Sequence, residues 1–271
     1  MIFDFDGTLA DLQDNPDNVE IPKETYETLK NLSQFENINI TILTGRDVKT
    51  ALKLLTVHED NKNQCIFDII GSHGTEYIRK NQSEIITIPL TNAEKSVQEK
   101  FLNLTKDLKL EYPEMIIEEK CAGVGFNLVA IKTDNLSDFI ENHITNPILD
   151  IIKDHEFSIH AETAHECDVR HKTWNKASGF EYFMKLNPKN LYTFAGDTIF
   201  SGTDQKIAEL IKENNGLVYS VDNQRDKRAP DYPYFNRPEE MATALAQLKN
   251  KLLETGMTHE NTTQNPSRYP T

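Results

Sequence analysis

The chain has 271 residues, 38% of them hydrophobic and 27% charged, and a formal net charge of -14. That length supports a well-buried core and lies near the size at which one domain becomes two. The acidic balance excludes nucleic acid and anionic membrane as natural partners, since both require a basic footprint.

The first element, Met1-Ile2-Phe3, reads as the end of a buried strand and runs into D-F-D-G-T-L at Asp4–Leu9. Side chains at i and i+2 share one face of a strand, so Asp4 and Asp6 project together while Phe5 turns into the core. Gly7 permits a sharp turn without steric cost, and Thr8 adds a hydroxyl and a backbone N–H. Paired carboxylates at a strand's carboxyl end suit phosphoryl transfer: one can attack phosphorus, while the other protonates the leaving oxygen and later takes a proton from water. Two adjacent like charges also require a cation, and all-oxygen ligands favour Mg²⁺. So short a strand leads to the expectation that a few residues precede Met1.

Pro22 opens a helix carrying Tyr26, Leu29 and Leu32 at helical spacing, followed by a strand over Ile38–Leu43. Asp47 caps a helix with Val48, Ala51, Leu52 and Leu55, and the next buried strand, Cys65–Ile70, ends in G-S-H-G. Strands alternating with helices predict a parallel α/β sheet that binds its ligand at the strands' carboxyl ends. The pattern changes near residue 80. Ile85–Ile88 alternates like a half-exposed strand, and a long helix aligns Ala93, Val97, Phe101, Leu104 and Leu108. Strands follow at Met115–Glu119 and Val124–Ile131, then a helix over Leu136–Ile152 interrupted at Pro147, then a strand at Phe157–His160. This predicts an α+β insert with an antiparallel sheet, a separate lid that hinges near residues 78–84 and 162–170. Alternation resumes with a helix over Trp174–Met184, a strand at Leu191–Ala195, a helix over Thr203–Ile211 and a strand at Leu217–Val221. The expected organisation is a catalytic core of residues 1–80 and 166–253, a cap of 81–165 and a disordered tail of 254–271, rich in Thr, Asn and Pro.

Cys65, Cys121 and Cys167 are scattered and form no C-x-x-C pair, so neither a zinc site nor a disulfide framework is indicated and a reducing cytoplasm is expected. No apolar run approaches the roughly 18 residues of a membrane span. Asp4 and Asp6 occupy the place where a signal peptide would need a basic start and an apolar middle.

Four polar clusters follow core strands in order: Asp4 with Asp6, Thr44 in T-G-R, Lys176 at a helix start, and Asp197 and Asp204 in G-D-T-I-F-S-G-T-D. A threonine hydroxyl with its N–H can hold a phosphoryl oxygen, a lysine at a helix N-terminus favours an anion, and the last two aspartates are available to a metal. Singly, each is an ordinary cap, loop or surface residue; as an ordered set they form phosphoryl-transfer chemistry.

The set resembles the haloacid dehalogenase superfamily of phosphatases with a C2-type cap between its second and third motifs. Within it the chain is most similar to trehalose-6-phosphate phosphatases, over nearly its whole length to about residue 250. The narrower resemblance rests on D-F-D-G-T-L-A, L-T-G-R, G-S-H-G-T-E at Gly71–Glu76, E-E-K-C-A-G-V-G-F-N at Glu118–Asn127, and Glu166 ahead of Lys176. Two stretches depart from the family: Asn127 stands where a histidine is usual, and G-D-T-I-F-S-G-T-D replaces G-D-D-x-T-D-E and looks more like the phosphomannomutases of the same cap class.

The resemblance implies an α/β, Rossmann-like parallel-sheet core of the haloacid dehalogenase type with an inserted α+β cap. It also implies Mg²⁺-dependent hydrolysis of trehalose 6-phosphate, a phosphorylated disaccharide, through an aspartyl-phosphate on Asp4, with Asp6 as acid and base. Asp4, the Asp6 carbonyl, Asp197 and Asp204 would serve the metal, and Thr44 and Lys176 the phosphoryl oxygens. Arg46, His73, Glu118, Lys120, Asn127 and Glu166 would contact substrate, in a monomeric enzyme. Another sugar-phosphate phosphatase, a phosphomannomutase-like enzyme and a non-enzymatic sugar-phosphate sensor are the alternatives; a sensor has no need of the intact nucleophile.

Overall fold

The computed structural model describes residues 1–59, 65–163, 165–186, 191–199, 202–221 and 232–255. From β1 (Ile2–Phe3) the chain passes through α1 (Lys23–Leu32) to β2 (Thr41–Leu43), then through α2 (Val48–Leu55) to β3 (Asp68–Gly71) and the hairpin of β4 (Glu76–Ile78) and β5 (Ile85–Thr87). Next come α3 (Asn92–Glu111), β6 (Ile116–Lys120), β7 (Gly123–Asn127) and α4 (Leu136–Phe139). A π-helical segment, Ile140–Thr145, leads into α5 (Asn146–Ile152), β8 (Phe157–Thr163) and β9 (Glu166–His171). The remaining elements are α6 (Lys176–Leu186), β10 (Thr193–Gly196), α7 (Gln205–Glu213), β11 (Leu217–Val221), β12 (Tyr234–Phe235) and α8 (Pro238–Glu254).

Among the described residues the strands form two sheets. One has eight strands in the order β12-β11-β10-β1-β2-β3-β4-β5, and the other has four in the order β6-β7-β9-β8. The larger sheet is parallel from β12 to β3 and antiparallel beyond, and the smaller is antiparallel throughout. Ile2, Phe3, Ile42, Leu43, Ile69 and Ile70 are all buried, as continuous apolar runs in a sheet covered on both faces should be. Since β2 and β10 flank β1 on opposite sides, the strand order reverses at β1, and such a reversal opens a crevice at the strands' carboxyl ends. That crevice receives Asp4 and Asp6.

The smaller layer, the cap, is built on α3, whose Thr91 and Glu94 close a capping box and whose Val97, Phe101 and Leu108 face the four-stranded sheet side of the molecule as buried residues. Phe101 meets Phe157 of β8 edge to face, with ring centroids 5.4 Å apart. No helix among the described residues is long and apolar enough to cross a membrane.

The structure corrects the expected boundaries in three places. Strand β5 pairs with β4 in the larger sheet rather than in the insert, because a half-exposed edge strand shows the same alternation whichever sheet it joins. At the other end, β9 carries the cap sheet on to His171, past the expected limit at 165. The connections between the sheets therefore run through 88–91 and 172–175, and residues 79–84, expected as a hinge, turn the β4–β5 hairpin. The third correction concerns Pro147: helical backbone continues across it from Leu136 to Ile152, since it falls in the first turn of α5 and the wider π turn ahead of it accommodates the missing N–H. β4, β9, β12 and α8 had no counterpart in the sequence reading. Helix α8 reaches Glu254; residues 256–271 of the expected tail lie outside the described residues.

Candidate active site

Asp4 follows β1 directly, and its N–H continues the ladder to Ala195 O of β10 at 2.9 Å. Gly7, at φ 76°, turns the chain back behind the two aspartates. The Lys176 ammonium, at the first residue of α6, donates to Asp4 Oδ1 at 2.7 Å and to Asp204 Oδ1 at 2.6 Å. Asp204 is fully buried and also accepts the Thr198 N–H, at 3.3 Å. Burial pushes the Asp4 carboxyl well above its usual range against the pull of Lys176, and Asp204 and Asp197 push in the same direction. Burial alone would lower the Lys176 ammonium, but Asp204 and Asp4 outweigh it and keep the group protonated.

Asp4, Asp197 and Asp204 each offer a carboxylate oxygen within 4.8 Å of the other two. Three buried oxygen donors with one lysine among them leave uncompensated negative charge, and hard donors of this kind fit Mg²⁺. The Asp6 carboxylate, expected to project beside that of Asp4, is outside this group. Arg46 forks onto it instead, Nε to Oδ2 at 2.8 Å and Nη2 to Oδ1 at 2.7 Å. Thr44 is buried, and its hydroxyl oxygen accepts the Arg46 N–H at 3.2 Å.

Five of these groups border a cavity of about 670 Å³. Asp4, Asp6, Arg46, Lys176 and Asp197 line it from the core, together with His73; Glu118, Lys120, Asn127 and Glu166 line it from the cap, while Thr44 and Asp204 lie outside the lining. The cap residues are already engaged. Glu118 Oε1 accepts the Asp47 N–H at the start of α2, at 2.7 Å, and Oε2 lies 3.4 Å from Lys120 Nζ. Asn127 donates to Glu166 Oε1 at 3.3 Å and accepts the Val129 N–H at 3.1 Å. His73 Nε2 meets Asp168 Oδ2 at 3.0 Å; burial, with Arg170 and Lys120 nearby, holds the ring well below the usual histidine range, so a neutral imidazole donates to the carboxylate.

Asp168 and Arg170 were missed from the sequence. Glu166, Asp168 and Arg170 alternate along β9 with the buried Cys167, Val169 and His171, so all three share the cavity face, and the period-two pattern in E-C-D-V-R-H was the available signal. Lys120 donates to both oxygens of Asp168, at 2.8 and 3.0 Å, and Arg170 Nη2 donates to Oδ2 at 2.8 Å. Although burial favours the protonated acid, Lys120, the His73 hydrogen bond and Arg170 hold the Asp168 carboxyl well below the usual carboxylate range. Asp168→Ala is therefore expected to cost about 3–5 kcal/mol in urea unfolding at neutral pH, as removal of one member of a buried ion pair does. A depressed carboxyl contributes its stability above the unfolded value of about 3.9 and loses it as pH falls through the folded value, so wild type and variant should converge only in strong acid.

The model of the family described as trehalose-phosphatase matches residues 2–164. Among solved structures, one described as a trehalose-6-phosphate phosphatase related protein is similar with a TM-score of 0.67 and 18% identity, over 94% of this chain and 99% of that one. The C-terminal domain of C. albicans trehalose-6-phosphate phosphatase has a TM-score of 0.64 and 19% identity, over 92% of this chain and 91% of that one. The Aspergillus fumigatus trehalose-6-phosphate phosphatase has 0.55 and 16%, over 92% and 91%. At these identities the likeness establishes a shared fold alone, a parallel-sheet α/β core with an α+β cap. No curated protein matches the sequence.

Proposed function

The chain belongs to the trehalose-phosphatase family and is a phosphoric monoester hydrolase; on that premise we propose that it hydrolyses trehalose 6-phosphate to trehalose and inorganic phosphate through an aspartyl-phosphate on Asp4, with Mg²⁺ as its metal. The observation that carries this reading is the meeting of Asp4 and Lys176 on the floor of a cavity whose far wall bears Glu118, Lys120, Asn127 and Glu166.

An Asp4 carboxylate oxygen attacks phosphorus as the P–O bond to the sugar breaks, and Asp6 gives its proton to the departing oxygen. Asp6 then takes a proton from the water that attacks phosphorus, which releases phosphate and restores Asp4. The Arg46 fork holds Asp6 as the carboxylate that takes the water's proton; for Asp6 to act as the acid, one of its oxygens must leave the fork and carry the proton. Lys176 keeps Asp4 in place and, with the Thr44 loop, holds phosphoryl oxygens. Asp4, the Asp6 carbonyl and Asp197, with Asp204 beside them, would hold Mg²⁺, which would supply positive charge against the phosphoryl oxygens.

Glucose 6-phosphate offers the same phosphate and first ring, so only contacts to the second ring can reject it, and those fall to the cap. Lys120→Ala is expected to lower kcat/KM for trehalose 6-phosphate by about 10²-fold or more while barely changing hydrolysis of p-nitrophenyl phosphate, which has no sugar. Equal losses on both substrates would place Lys120 in structure or phosphate binding. Phosphate release without a bisphosphate activator separates this activity from that of a mutase, whose phosphoenzyme must survive while its intermediate reorients.

A further inference from the structure

The segment Gly71–Glu76 carries buried polar groups that the chemistry above leaves unused. Ser72, His73 and Gly74 have φ of 50°, 53° and 99°, and two successive non-glycine residues hold that left-handed conformation only where their surroundings impose it. Those surroundings are the phosphate side of the site. The Ser72 N–H donates to Arg46 O at 2.6 Å and the His73 N–H to Thr44 O at 3.1 Å. The His73 ring covers Gly45 so closely that a Cβ there would stand 2.5 Å from the ring. Gly74 packs on the start of α6, where a Cβ would stand 2.4 Å from Asn175 O and 2.9 Å from Gly179 Cα, and α6 begins with Lys176.

The same segment also reaches the cap at two points. One is the His73–Asp168 hydrogen bond of 3.0 Å. The other is Glu76, a buried carboxylate that accepts the Val48 N–H of α2 with Oε2 at 2.9 Å and the Cys121 N–H of the β6–β7 turn with Oε1 at 3.0 Å.

We infer that His73 and Glu76 are positioning residues that couple the seating of the cap on the sugar to the geometry of the phosphate site. This rests on the trehalose 6-phosphate reading above. As the cap seats, Asp168 and the Cys121 N–H gain their partners in the segment; the backbone of Ser72 and His73 then fixes residues 44–46, and Gly74 fixes the start of α6. Coupling between two binding sites is reciprocal, so the two product fragments report it without turnover.

The test is calorimetric titration of the full chain with inorganic phosphate in Mg²⁺, with and without saturating trehalose. In the wild type, trehalose should tighten phosphate binding by a factor of roughly 5 to 150. Glu76→Gln, at a residue outside the cavity lining, should bind phosphate alone as the wild type does and lose most of the trehalose effect; His73→Ala should lose the trehalose effect as well, with its affinity for phosphate alone free to change because its ring covers Gly45. Variants that keep the full effect, or a wild type that binds both fragments independently, overturn the coupling and leave the substrate reading standing. A wild type that does not bind trehalose overturns the substrate reading, and the coupling with it.

Discussion

Asp4→Asn is expected to lower phosphate release from trehalose 6-phosphate by on the order of 10⁴- to 10⁶-fold, the range seen when a covalent nucleophile is removed. The amide keeps the size of the carboxylate and still accepts a hydrogen bond from Lys176, so packing around β1 is preserved. Because Asp4 shares its buried pocket with Asp197 and Asp204, removing its charge also relieves repulsion. The melting temperature should therefore stay level or rise while activity vanishes. A folded Asp4→Asn protein with near-normal turnover in Mg²⁺ would rule out attack by this residue.

Lys176→Met should be the second most damaging change, for the opposite electrostatic reason. One ammonium, itself buried, satisfies Asp4 and Asp204 at 2.7 and 2.6 Å. Without it two buried carboxylates face each other, at an expected cost of about 3–5 kcal/mol, and loss of a cation from the phosphoryl site should reduce kcat by about 10²- to 10³-fold. Mg²⁺ should restore part of the stability by replacing the missing charge. Melting curves of wild type and variant with and without Mg²⁺ check this: the variant should gain more from the metal than the wild type does. Wild-type stability without metal, or wild-type kcat, would contradict the charge balance described for this site.

How much of this was legible in the sequence depended on how locally each feature is determined. The D-x-D turn could be read because strand alternation and one glycine fix it within a few residues, and Asp197 because it follows a short apolar strand in the same way. The alternation of apolar strands and helices gave the parallel order around β1. Strand β5 could not be placed, since its partner β4 is set by tertiary pairing and its own pattern suits an edge strand in either sheet. Asp168 and Arg170 escaped because β9 was not recognised as a strand, which left Glu166 without its two companions on the same face. The fork from Arg46 to Asp6 spans 40 positions and follows from the adjacency of β1 and β2, so the arginine read from sequence as a substrate contact is seen here on the Asp6 carboxylate.

The central claim, that this site is built for a phosphorylated disaccharide, is tested most directly by kcat/KM for phosphate release in Mg²⁺ from trehalose 6-phosphate, glucose 6-phosphate and mannose 6-phosphate. A second ring that makes its own hydrogen bonds to the cap should favour trehalose 6-phosphate by about 10²-fold or more over either monosaccharide, because the smaller sugars cannot reach those contacts. Equal rates on all three, or a preference for glucose or mannose 6-phosphate, would contradict it.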